Sequence, residues 1–144
     1  MIDKILGFFS GWNGTRTMHE VKRDTKRNVM ALLYQQVKRN TPGVIKEWST
    51  LGTLEHGSSP DDISSLTRQL QQGEQPALRA GESNSFVDRI AVHQVVTREG
   101  KIVLHLFKDT KYSNGLDDYI ATVEIPAKFP TDHLPKESKI LVAR

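Results

Sequence analysis

Ile2, Ile5, Leu6 and Phe9 fall at helical spacing, with Phe8 and Trp12 beside them, before Gly11, Asn13 and Gly14 interrupt the pattern. The spacing predicts a short amphipathic helix with a glycine joint behind it. A helix this short is marginal alone in water. It must dock on its own core, on a neighbouring subunit or on a lipid surface.

Thr17-Met18-His19-Glu20 has the form of a capping box, in which the Thr17 hydroxyl accepts from the Glu20 amide and the Glu20 carboxylate bonds back. It predicts a helix over 18–39, ended by Asn40-Thr41-Pro42-Gly43. Val21, Val29, Leu32, Leu33 and Gln36 lie broadly on one side. The first half of this helix is charged nearly all round and is expected to project; the second half is apolar and is expected to pack. Val44–Trp48 reads as a further helical turn, and residues 49–59 as a loop. Ser59 then precedes Pro60, with Asp61 and Asp62 in the first turn of a second helix. Ile63, Leu66 and Leu70 give that helix one buried stripe, and Gly73 stops it. Gly73 to Ser85 is a polar connector.

From Phe86 the period becomes two. Val87–Val96 reads as a strand, Thr97–Lys101 as a three-residue hairpin loop with Gly100 in the left-handed position, and Ile102–Lys108 as the returning strand. This register sets Val95 opposite Val103 and His93 opposite His105, with Val96 against Ile102 and Val92 against Leu106 on the other face. Both faces carry apolar residues, so both are expected to be covered, one of them by helix. Asp109–Asp118 reads as a longer polar loop, Tyr119–Ile125 as a third strand ended by Pro126 and Pro130, and Lys139–Val142 as a short fourth. The expected fold class is α+β: N-terminal helices followed by an antiparallel β-meander of three to four strands. Residues 1–14 form an amphipathic docking segment. Residues 15–144 form one domain, with a helical part over 15–73, the polar connector over 74–85 and a β part over 86–144. No internal repeat is present.

At 144 residues the chain matches one domain large enough to bury a core. The absence of cysteine excludes disulfides, thiolate zinc sites and cysteine nucleophiles. No apolar run approaches a membrane span. The first residues, with Asp3 and Lys4, do not read as a secretion signal, so a cytoplasmic place, or one within a particle or complex, is expected. The net charge of +3 is uneven: +5 over residues 1–48, −3 over 49–100 and +1 over 101–144. The basic excess centres on Arg16, Lys22, Arg23, Lys26 and Arg27, which could neutralise phosphates of a nucleic-acid backbone. No reader motif and no interleaved aromatic residues accompany them.

Candidate chemistry is sparse. His56-Gly57-Ser58-Ser59 followed by Asp61 and Asp62 holds a base, hydroxyls and carboxylates, but Ser59 and the two acids already serve as a helix N-terminus, and no nucleophile elbow is present. His93 and His105 could share a metal across two strands, yet no Asp or Glu alternates nearby as a third ligand. Asp109–Gly115 fails as a calcium loop, since Lys111 occupies a ligand position and the twelfth residue is Ile120. No catalytic residue, metal or cofactor is expected. The sequence therefore reads as a non-catalytic structural or adaptor subunit of a larger assembly, such as a bacteriophage particle or a secretion machine. Ile2, Ile5, Leu6, Phe8, Phe9 and Trp12 would bind a protein partner or another copy. The alternative is a nucleic-acid-associated protein using the basic helix 16–39. A third reading is a small enzyme using His56, His93, His105 or His133 in a cleft. A membrane partner is not expected, because one Lys against one Asp leaves residues 2–12 without a cationic face.

Overall fold

The computed structural model describes residues 16–18, 30–79, 89–109 and 119–141. In chain order the elements are β1 (Arg16–Thr17), α1 (Met30–Arg39), β2 (Ile45–Glu55), α2 (Pro60–Gln71), β3 (Arg89–Thr97), β4 (Ile102–Lys108), β5 (Tyr119–Ile125), a 3-10 turn (Lys136–Ser138) and β6 (Lys139–Leu141). The strands form one sheet in the order β1-β6-β2-β3-β4-β5. The two residues of β1 run parallel to β6, and every other neighbouring pair is antiparallel. The fold is α+β.

The hairpin forms as its residues dictate. Val95 pairs with Val103, His93 with His105, Val96 with Ile102 and Val92 with Leu106. The Thr97 amide donates to the Lys101 carbonyl at 2.9 Å, and the Thr97 hydroxyl accepts from the Lys101 amide at 3.0 Å. Gly100 has φ +91°, and a Cβ built on it would meet nothing within 4 Å. Gly100→Ala should therefore cost more than about 1 kcal/mol through backbone strain alone. Urea denaturation checks this; an unchanged midpoint would contradict it.

Three expectations are corrected. Val44–Trp48 is not a helical turn and 49–59 is not a loop: Ile45–Glu55 is the long strand β2, flanked by β3 and β6. Its apolar residues Ile45, Trp48, Leu51 and Leu54 are three apart, a helical-looking spacing, because two bulges interrupt the strand. Ile45 pairs with Thr97 and Glu47 with Val96, while Thr50 pairs with His93 and Gly52 with Val92. The first extra residue, Lys46, brings Ile45 and Trp48 to one face. The second, Leu51, joins Leu54 on the other. Gly52 holds φ +129° at this bulge, in a region that favours glycine. Second, helices do not precede all strands. β1 and β2 lie within the supposed helical half, so the connector after Gly73 does not separate two structural classes. Third, β6 does not extend the meander beyond β5 but returns to pair with β2. Five strands are antiparallel, one more than the upper expectation.

Both sheet faces are covered. On one, Leu33 and Val37 of α1 pack with Trp48, Ala91, Val95, Phe107 and Ile140. On the other, Leu66 and Leu70 of α2 pack with Ile90, Leu104, Leu106 and Val123. The predicted stripe of α2 is the one used, with Ile63 partly buried beside it. Ser59 caps this helix by accepting from the Asp62 amide at 3.1 Å, and Gly73 follows its C-cap with φ +93°. Residues 19–29, which carry the charged half of the predicted first helix, lie outside the described residues, as do 80–88 of the connector and 110–118. Asp109, read as the start of a polar loop, is fully buried.

Candidate functional site

β3 and β4 place His93 and His105 opposite each other on the sheet face that α1 covers, and both are fully buried. Trp48 Nε1 donates to His93 Nδ1 at 3.2 Å, and Thr50 Oγ1 lies 3.3 Å from the same nitrogen. With Nδ1 accepting, the single proton of a neutral ring resides on Nε2. The His93 ring meets Trp48 edge-on at 6.0 Å between centroids and Phe107 at 5.5 Å. His105 sits in a longer chain. Thr41 Oγ1 donates to the Val37 carbonyl at 2.6 Å, so it accepts from His105 Nε2 at 2.9 Å. Thr122 Oγ1, 3.3 Å away, then donates to His105 Nδ1 and accepts from the Tyr119 hydroxyl.

Burial drives both histidine pKa values down from the ordinary 6.5 to about 3, and for His93 the charge of His105 adds to the effect. Burial also raises the Tyr119 pKa, against a smaller lowering by its bond to Thr122. The pair is therefore neutral at pH 7; His93 Nδ1 bonds Trp48 of β2, and His105 links Thr41, just beyond α1, to Thr122 of β5. Among the described residues no group of three or more His, Asp or Glu could hold a metal.

In the second sequence candidate, the serine and the two acids open α2. Ser59 is the N-cap of α2, and His56 Nδ1 lies 2.8 Å from the carbonyl oxygen of Gly57. His133 is exposed in the segment that follows β5. The docking residues Ile2, Ile5, Leu6, Phe8, Phe9 and Trp12 lie outside the described residues, and so do Lys22, Arg23, Lys26 and Arg27. Arg16 lies in β1, paired with Ile140. Among the described residues, no helix is long and apolar enough to cross a membrane.

Sequence reasoning missed a half-open pocket of about 180 Å³. Leu51, Pro76, Leu78, Phe129 and Pro130 supply hydrocarbon walls, and Gln75 and His133 supply polar groups. Each wall has its own anchor. The bulge in β2 sets Leu51. The connector is tied to β2 by a reciprocal pair of bonds between Thr53 and Arg79, at 2.7 and 2.8 Å. It is tied to the opposite wall by Gln75 Nε2, which donates to the carbonyls of Ala127 and Lys128 at 3.3 Å each. Phe129 is fixed by the buried Gln94 of β3, which accepts from the Phe129 amide at 2.8 Å and donates to its carbonyl at 3.3 Å. Three segments far apart in sequence make this pocket, so no local spacing announces it.

Comparison with protein families, with curated proteins and with solved structures finds no match to this chain.

Proposed function

We propose that this protein is a non-catalytic assembly or adaptor subunit, of the kind found in a bacteriophage particle or a secretion machine, that docks through Ile2, Ile5, Leu6, Phe8, Phe9 and Trp12. The observation that carries this reading is how the apolar surface is shared out. Both faces of the sheet are already covered, one by α1 and the other by α2. The chain enters the described fold at Arg16, in the outermost strand of the sheet. Six large apolar side chains thus precede the edge strand of a sheet whose two faces, among the described residues, are packed by α1 and α2. Burying each is worth about 1.5–3 kcal/mol, which favours a partner surface.

The histidines support the same reading. Among the described histidines, His93 and His105 are shifted by burial and lie packed between the sheet and α1, bonded to Trp48, Thr41 and Thr122.

The double variant Phe8→Asp/Phe9→Asp tests the proposal. It should lose association with its partner in a sizing experiment, keep a nearly unchanged melting temperature, and float with lipid vesicles no more than the parent does. A parent chain that floats with vesicles, when the variant does not, would replace the protein partner with a membrane.

A further inference from the structure

We infer that the end of the sheet where α1 meets the β3–β4 turn binds the phosphate backbone of a nucleic-acid duplex through Lys38, Arg39, Lys46, Arg98 and Lys101. This contact is separate from the docking element of residues 2–12 and does not rest on it.

Hydrogen bonds and packing bring the five cations together from three separate stretches of the chain. Lys38 and Arg39 lie in the last turn of α1. Thr41, just beyond them, is tied back to Val37 and across to His105. Gly43 then passes close to Thr97: a Cβ built on the glycine would stand 3.9 Å from the threonine Cβ. The Arg98 amide donates to the Val44 carbonyl at 2.9 Å, and the Thr97 amide donates to the Lys101 carbonyl at 2.9 Å. Ile45 pairs with Thr97. Ile45, Thr97 and Lys101 therefore stand side by side across β2, β3 and the start of β4, roughly 10 Å from first to last. Lys46 follows Ile45 and Arg98 follows Thr97, so their backbones share this end of the sheet. All five residues are exposed.

Among the described residues none of the five makes an ion pair. The acids on the strands and turn at this end are Glu99, Glu124, which lies on β5 beside Val103, and Glu47. Lys128 Nζ engages Glu47 at 3.1 Å, which leaves two acids against the five cations. Lys38 and Arg39 also favour the C-terminus of α1, and Lys38 Nζ lies 5.9 Å from the Tyr34 ring centroid. Lys46, Arg98 and Lys101 have no comparable role, since among the described residues their side chains make no hydrogen bond.

The composition of this surface favours a duplex over other anionic partners. Val44 is the one large hydrophobic residue exposed among the described residues, and Tyr34 is partly buried. A protein interface is centred on aromatic or aliphatic anchors, a membrane-surface element inserts them, and single-stranded nucleic acid stacks its bases on aromatic rings. A duplex requires none of these, because neutralising its phosphates and releasing their counterions supplies the binding. Contacts of this kind carry no sequence information.

Fluorescence anisotropy with a short duplex DNA of scrambled sequence tests this on the full-length chain. The parent should bind, and less tightly as salt rises. Lys46→Gln/Arg98→Gln/Lys101→Gln should bind about tenfold or more weakly at low salt, and its slope of log affinity against log salt should be shallower by up to about 2.7, at about 0.9 for each phosphate contact removed. A duplex of unrelated sequence should give the same values. The control Arg68→Gln/Arg79→Gln/Lys136→Gln removes the same charge at exposed positions elsewhere and should bind within about twofold of the parent. Both triple variants change only exposed side chains, so their melting temperatures should stay near that of the parent. Their sizing should also match the parent, in contrast to Phe8→Asp/Phe9→Asp, so a failure here leaves the docking reading standing. A parent that does not bind the duplex overturns the inference; binding to poly-glutamate or to phosphatidylserine vesicles in its place would give this surface to an acidic protein or to a membrane. Duplex binding that survives the Lys46/Arg98/Lys101 changes, that the control weakens equally, or that discriminates strongly between sequences also overturns it.

Discussion

Between pH 7 and pH 5 the fold is expected to lose about 4 kcal/mol through His93 and His105 alone. Both side chains are fully buried and hold folded-state pKa values of about 3, against about 6.5 in the unfolded chain. The unfolded state therefore binds more protons throughout the window from 6.5 down to 3. Stability is intact above pH 6.5 and falls as the pH drops toward 3, at up to about 1.4 kcal/mol per pH unit for each ring. Among the described residues, Thr41, Trp48, Thr50, Phe107 and Thr122 touch the rings, and all five are neutral. A loss of this size is a large part of the stability of an ordinary domain. Urea unfolding measured from pH 7 to 5 checks it, with the double variant His93→Gln/His105→Gln as control. The control should be less stable at pH 7, yet its stability should decline with falling pH by about 4 kcal/mol less than that of the parent. Parallel pH profiles for the two proteins would show that the pair does not carry the effect.

The second large effect is expected at Gln94. Its side-chain amide, 1% exposed, behaves as a substitute strand partner for Phe129, accepting from the amide and donating to the carbonyl. Gln94→Ala leaves both backbone groups without that partner, and each buried polar group so stranded costs about 1–3 kcal/mol. A total near 3 kcal/mol is expected from chemical denaturation, with faster amide hydrogen exchange at Phe129. Gln94→Leu separates the causes, since it restores most of the volume and neither hydrogen bond. It should be about as damaging as Gln94→Ala. A Leu variant as stable as the parent would assign the role of Gln94 to packing.

The residues that could be read from sequence are those whose signals are local. The β3–β4 hairpin was legible down to its register because Gly100 fixes the turn and alternation then fixes each opposing pair, including His93 with His105. The start of α2 was legible because Ser59, Pro60, Asp61 and Asp62 each favour a helix N-terminus for a separate reason. β2 was not, because bulges at Lys46 and Leu51 convert a period of two into a spacing of three. Its polar residues Ser49, Thr50 and Thr53 also sit buried in the sheet, where a sequence reading expects a loop. The histidine pair shows the limit of the same logic. Its facing geometry followed from the register, but its chemical state depends on cover from α1 and on partners such as Trp48 and Thr41, which are far away in the chain. The pocket depends on three such distant segments at once.

The most direct test of the docking role is to measure mass and melting together, by sedimentation velocity and calorimetry, on the full-length chain and on Phe8→Asp/Phe9→Asp at equal concentration. The double variant should have a lower mass than the parent, or lose its bound partner, while its own melting temperature stays nearly the same. A variant that is monomeric and melts far below the parent would place these side chains in the core and contradict the docking role.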